Sequence, residues 1–109
     1  DHDLALEPGS GDDAYLKATN RALDLCLGFE PDLLLFQGGV DGLEADALGK
    51  LSVSREGMQH RNALVFDATA ATNTPTVVFM GGGYSKPIDA TLDAFEDLFL
   101  SAAAAHQRR

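Results

Sequence analysis

The chain has 109 residues and a formal net charge of −9. That length allows one small domain with a modest core. The acidic balance sets aside nucleic-acid backbones and anionic membrane surfaces as direct partners. No apolar run is long enough to cross a bilayer, and no stretch reads as a signal peptide. The single Cys26 allows no internal disulfide and fits a reducing, cytoplasmic compartment. Cys26 itself reads as a small buried residue on a helix rather than a reactive thiol. The first residue is Asp1, not Met, which reads as a chain that is processed, trimmed or a fragment.

Residues 1–11 are polar, acidic and glycine-rich and predict an opening loop. Ser10-Gly11-Asp12-Asp13 is a helix start, with Ser10 as cap and acids in the first turn. Tyr15, Leu16, Thr19, Leu23, Cys26 and Leu27 then recur at helical spacing on one face, and Gly28 fits the helix end. After Pro31 comes the apolar run Leu33-Leu34-Leu35-Phe36, continuous enough for a strand buried on both faces. Residues 38–53 predict a long loop, and long loops inside compact α/β units are often functional. Ser54 reads as an N-cap with Glu56 in the first turn, opening a helix from about Arg55 to Ala71. Met58, Val65, Ala68 and Thr69 face inward on it. Asn73-Thr74-Pro75 breaks that helix. A second apolar run, Thr76-Val77-Val78-Phe79-Met80, leads to Gly81-Gly82-Gly83-Tyr84. Pro87 suits the first turn of a last helix, with Ile88, Leu92, Phe95, Leu98, Phe99 and Ala102 as its apolar face. His106 to Arg109 form a polar tail with cations at the helix C-terminus.

Strand, helix, strand is a parallel crossover unit, so the fold class is α/β. Both strands then end at the same sheet edge, where ligand sites of open α/β sheets form. Asp41 and Tyr84 are expected to be neighbours in space there, one bringing a carboxylate and the other a phenol. Only two strands are evident, both central in character, and central strands need neighbours; other strands of the sheet are expected to lie outside this chain. The exposed edges of such a piece predict homo-oligomers through strand pairing.

Taken singly, the site residues stay ambiguous. An Asp after Gly-Gly at a strand end is commonly a turn or cap residue. The triple glycine could be a tight turn or an anion-binding loop before a helix. It is neither a P-loop nor a dinucleotide fingerprint, because the required spacings fail. Tyr84 alone could simply be packing.

Taken together, and in order, these segments resemble the histone deacetylase superfamily, most like its class IV-type and bacterial deacetylase-like members. The matching stretches are Pro8 to Leu16 (PGSGDDAYL), Gln37-Gly38-Gly39-Val40-Asp41, Ala45-Asp46-Ala47-Leu48-Gly49, Leu51-Ser52-Val53-Ser54 and Gly81-Gly82-Gly83-Tyr84. The resemblance implies a three-layer α/β/α arginase/deacetylase-type parallel sheet, of which residues 1–109 would be the C-terminal portion. It implies that Asp41 is a zinc ligand and that Tyr84 donates a hydrogen bond to the substrate carbonyl and then to the oxyanion. Gly82 and Gly83 would let an acyl-lysine or acyl-polyamine substrate pass close to backbone, and Asp46 would brace the loop. Such zinc sites take three protein ligands and activate water for amide hydrolysis.

The sequence departs from the family pattern in four respects. Gly39 stands where the family often has Ala, Gly38 is smaller than usual, and Glu44-Ala45 alters the rim. The family's Asp-x-His ligands and paired histidines have no counterpart here. His2 lies in the opening loop, His60 within a helix where it faces solvent or packs locally, and His106 in the tail. The resemblance therefore implies a fragment that is inactive alone. Arginase-like ureohydrolases, which use two manganese ions, would need more acidic ligands than Asp41 and Asp46. The alternative reading is a non-catalytic acidic α/β binding or assembly module in which Asp41 caps a turn.

Overall fold

The computed structural model describes residues 1–108; Arg109, read above as part of the basic tail, lies outside the described residues. The element order is α1 (Asp12–Leu27), β1 (Leu34–Gln37), α2 (Arg55–Ala71), β2 (Thr76–Phe79) and α3 (Asp89–Gln107). The two strands pair in parallel, with Leu34 opposite Thr76 and Gln37 opposite Phe79. The predicted crossover is therefore present, and α2 supplies its helix. The strand bounds shift by a residue: the first takes in Gln37 and begins at Leu34, and the second ends before Met80.

The predicted burial of both strand faces does not hold. Exposure alternates along each strand. Phe36 and Val78 pack against the core, while Leu35 (64% exposed), Val77 (47%) and Phe79 (40%) face outward. The composition of a two-faced strand is present, but one face has no covering layer among the described residues.

α2 is the centre of the packing and touches both α1 and α3. Its buried Val65 and Phe66 meet Ala94, Phe95 and Leu98 of α3 within one core. Phe66 contacts Phe36 edge to face, with centroids 5.9 Å apart, an arrangement aromatic quadrupoles favour. Burial of each such side chain contributes about 1.5–3 kcal/mol. The predicted apolar face of α3 is only half right. Phe95 and Leu98 are buried and Ala102 packs against the core, but Ile88, Leu92 and Phe99 are exposed, and Thr91 and Ala94 take the inward positions. The apolar stripe is wider than the groove that α2 offers, so its far side stays in the open. Pro87 lies outside α3, which begins at Asp89 with Ile88 as N-cap, and His106 stands in the helix's last turn rather than in a tail.

Two further corrections concern α1. Ser10 is not its cap: Gly11 holds that position without a side-chain bond, and Ser10 Oγ donates to the Glu7 carbonyl at 2.7 Å. Cys26 is exposed rather than buried, because Leu23 is the residue of α1 that reaches the core.

The PGSGD stretch latches the chain onto the entrance of α2. Gly9 N–H donates to the Lys50 carbonyl at 2.6 Å and Ser52 N–H to the Ser10 carbonyl at 2.8 Å. Asp12 Oδ1 accepts from Ser54 N–H at 2.7 Å, and its Oδ2 accepts from the Ser54 hydroxyl. The hydroxyl first and the amide second hold the Asp12 carboxyl below its ordinary value of 3.8, against a smaller effect of burial. Ser54 Oγ also accepts from Gly57 N–H at 3.0 Å, capping α2 as predicted.

Gly57 sits under this latch. A Cβ there would lie 2.4 Å from Asp12 Oδ1 and 2.9 Å from Val53 Cγ1. Helix propensity alone favours Gly57→Ala by about 1 kcal/mol. The steric conflict instead predicts a loss of about 1–3 kcal/mol, read as a lower midpoint in thermal or urea unfolding.

Candidate active site

Because β1 and β2 are parallel, their carboxyl ends share one edge, and the chain continues from both into glycine-rich loops packed against each other. Gly38 N–H donates to the Phe79 carbonyl at 2.9 Å and Val40 N–H to the Gly82 carbonyl at 2.7 Å, extending the ladder past the strands. The backbones approach too closely for side chains. A Cβ on Gly81 would lie 2.8 Å from Gly39 Cα, and one on Gly83 would lie 2.7 Å from Val40 Cγ2. A Cβ on Gly82 would come within 3.0 Å of Asp41 Oδ2. The Asp41 carboxylate therefore lies directly over Gly82, exposed at the sheet edge.

Asp46 ties the loops from below. It is buried (8% exposed), and its two oxygens accept from three backbone amides. Oδ1 takes Leu48 N–H at 2.9 Å and Gly49 N–H at 2.7 Å, while Oδ2 takes Tyr84 N–H at 2.6 Å. Ala47 N–H donates to the Tyr84 carbonyl at 2.8 Å, so the backbone of Tyr84 is gripped on both sides. Gly49 is drawn so tightly onto the Asp41 carbonyl that a Cβ would sit 1.9 Å from that oxygen. Burial acts most strongly on the Asp46 carboxyl and would raise its pKa. The Tyr84, Gly49 and Leu48 amides together outweigh it and leave the group below 3.8.

Tyr84 is locked through its backbone while its ring stands 62% exposed. The next residue anchors the loop to α3: Ser85 N–H donates to Thr91 Oγ1 and Thr91 N–H to Ser85 Oγ, both at 3.0 Å. A cleft of about 490 Å³ opens beside Asp41, with Gln37, Gly39, Arg61, Gly81 and Gly82 in its wall. Tyr84 does not line that cleft. The sheet edge thus brings together the predicted Asp41, Gly82, Gly83 and Asp46, with Tyr84 held through its backbone. His60 and His106 remain on exposed positions of α2 and α3. Among the described residues no group of three His, Cys, Asp or Glu side chains could hold a metal ion.

Three contributors were not foreseen: Ser85, Thr91 and Arg61. Arg61 is 4% exposed and lies on the inward face of α2, between Met58 and Val65. A charge inside that apolar stripe was the sequence signal for it.

Two parallel strands joined by a helix, with glycine-rich loops meeting at their carboxyl ends, place the chain in the α/β class. The chain superposes on acetylpolyamine aminohydrolase from Burkholderia pseudomallei with a TM-score of 0.76 and 25% identity, covering 94% of this chain and 28% of that one. The histone deacetylase domain model matches residues 2–98, and the chain belongs to that family, with its arginase/deacetylase fold. It is 39% identical over 89 residues to an uncharacterized protein of Picosynechococcus and 33% identical over 87 residues to histone deacetylase 2 of Arabidopsis thaliana. These alignments take in 81% and 79% of this chain but 30% and 22% of the relatives, so the chain spans less than a third of their length. No helix among the described residues is long and apolar enough to cross a membrane.

Asp46→Asn replaces an acceptor with a donor facing backbone N–H groups. The expected cost is about 1–3 kcal/mol. The folded-state pKa is depressed, so Asp46 contributes stability above pH 3.8 that is lost as the pH falls below it. Denaturant titrations across the acid range should therefore show a flatter acid limb in Asp46→Asn than in the parent.

Proposed function

We propose that this chain is the C-terminal portion of a zinc-dependent deacetylase that hydrolyses the amide of N-acyl-lysine or of an acylated small amine. The observation that carries the reading is the pairing at one sheet edge. The Asp41 carboxylate lies over Gly82, and the Tyr84 backbone is fixed by Asp46 and Ala47. In this reading Asp41 is one of the metal ligands. Since the described residues supply no complete ligand group, the remaining ligands come from other parts of the full-length protein, and the chain alone is inactive. The outward Leu35, Val77 and Phe79 support the same view, because an apolar sheet face of this kind is normally covered by another layer.

Tyr84 has the freedom its role requires. Its backbone is immobilised, so its position is set, while the exposed phenol is free to donate to a substrate carbonyl as negative charge builds on the oxygen. Gly82 leaves exposed backbone beside it, so an extended acyl chain can approach closely, whereas the space a side chain at Gly83 would take is filled by Val40, Thr91 and Phe95. An acylated amine as substrate is supported by the likeness to an acetylpolyamine aminohydrolase.

In the full-length protein, Tyr84→Phe should lower kcat by about 10²–10³-fold with zinc content unchanged. Asp41→Asn should lower zinc content and turnover together. Metal analysis and hydrolysis of acetyl-lysine and acetyl-polyamine reporters check both. Full turnover in Asp41→Asn would return that residue to a turn role.

A further inference from the structure

Arg61 is a buried cation with no carboxylate partner among the described residues. Such a group is costly unless its donors are satisfied. Here they are satisfied in a particular direction. Nε and Nη2 both donate to Asn62 Oδ1, at 3.1 and 2.8 Å. Nη1 donates to the Tyr15 hydroxyl at 3.1 Å and to the Gly39 carbonyl. The guanidinium lies 5.3 Å from the centroid of the Phe36 ring, within cation–π range. Asn62 commits its carbonyl oxygen to this arrangement, while its own buried Nδ2 finds no hydrogen-bond partner. Leaving a buried amide unpaired is unfavourable, so the rest of the packing must compensate for it. α1, α2 and β1 thus all contribute to holding one guanidinium in one orientation.

The Gly39 carbonyl is the oxygen of the Gly39–Val40 peptide, and the N–H of that same peptide donates to the Gly82 carbonyl at 2.7 Å. In a trans peptide the two groups point in opposite directions. Arg61 and Gly82 therefore pinch a single peptide plane from its two sides, immediately before Asp41. A glycine at 39 has no side chain to resist rotation of that plane, so the pinch supplies the constraint that the residue itself lacks.

We infer that Arg61 is a positioning residue: by fixing the Gly39–Val40 peptide it sets the direction of Asp41 and the spacing of the 81–83 loop. The inference rests on the reading of Asp41 and Tyr84 given above, and it adds a residue to which that reading assigns no role. A displacement of about 1 Å at a reacting centre is enough to cost about 10²-fold in rate, so a guanidinium that touches no substrate can still govern turnover.

The test uses the full-length protein with Arg61→Met and Arg61→Lys, read by site-resolved hydrogen exchange and by steady-state kinetics. In Arg61→Met the Val40 amide should exchange about tenfold faster or more, while the Val65 and Phe66 amides of α2 stay within about twofold of wild type. Loss of kcat by about tenfold or more with KM within about twofold should accompany it. Arg61→Lys keeps one donor for Gly39 but loses the fork, and should recover part of both effects. Should Arg61→Met fail to fold, the Lys variant carries the same comparison. Wild-type exchange at Val40 with wild-type kcat in a folded variant would overturn the inference. Uniform acceleration across α2 would overturn it too, since that is the signature of a purely structural arginine. A wild-type protein without amide hydrolysis would instead overturn the proposed function, and the exchange measurement would still decide the pinch.

Discussion

A single buried carboxylate organises this sheet edge. Asp46 accepts from Leu48, Gly49 and Tyr84 amides at once, and those three donors belong to two loops far apart in sequence. Burial alone would favour the protonated acid, and the three amides reverse that preference. An ionised, hydrogen-bonded carboxylate is a stronger acceptor than a neutral one, so the same charge that is costly to bury is what makes the tie firm. Gly49 is pressed onto the Asp41 carbonyl as a consequence, and the Tyr84 peptide is held from both ends.

Around that tie the loops pack backbone to backbone. Gly39 lies against Gly81 and Gly82, Gly83 against Val40, and Gly82 beneath Asp41. A Cβ would clash at Gly81 and Gly83, at 2.8 and 2.7 Å, and would be tight at Gly39 and Gly82, at 3.2 and 3.0 Å, so proximity more than dihedral angle favours glycine here. Arg61 closes the arrangement from the helical side, reaching out of α2 to the Gly39 carbonyl. The site is consequently a joint product of two strand ends, one loop carboxylate and one helix. The PGSGD latch on Ser54 holds the start of that helix in place.

Much of this was legible along the chain. The bounds of α2, its Ser54 cap, the two strands and their parallel pairing follow from patterns of cap residues, breakers and apolar runs, which act over a few residues. Asp41 and Tyr84 were placed at the strand ends by the crossover pattern, and they and Asp46 were singled out through the resemblance of their motifs to the family. The errors of burial share one cause. Cys26, Ile88, Leu92 and Phe99 were assigned inward because periodicity marks an apolar face but does not say whether anything covers it. The strands were read as buried on both sides for the same reason, and Leu35, Val77 and Phe79 are exposed.

Local chemistry in the sequence thus determined the element order and the parallel pairing of the strands, since caps, glycine turns and strand runs are set by near neighbours, and the family was legible through the resemblance of its ordered motifs. Only the tertiary structure decided which donors Asp46 would collect, that Ser85 would bond Thr91, and that Arg61 would turn its charge onto the Gly39 carbonyl. Those bonds join residues from separate elements, and their partners are chosen by packing in space, which no pattern along a single stretch of chain encodes.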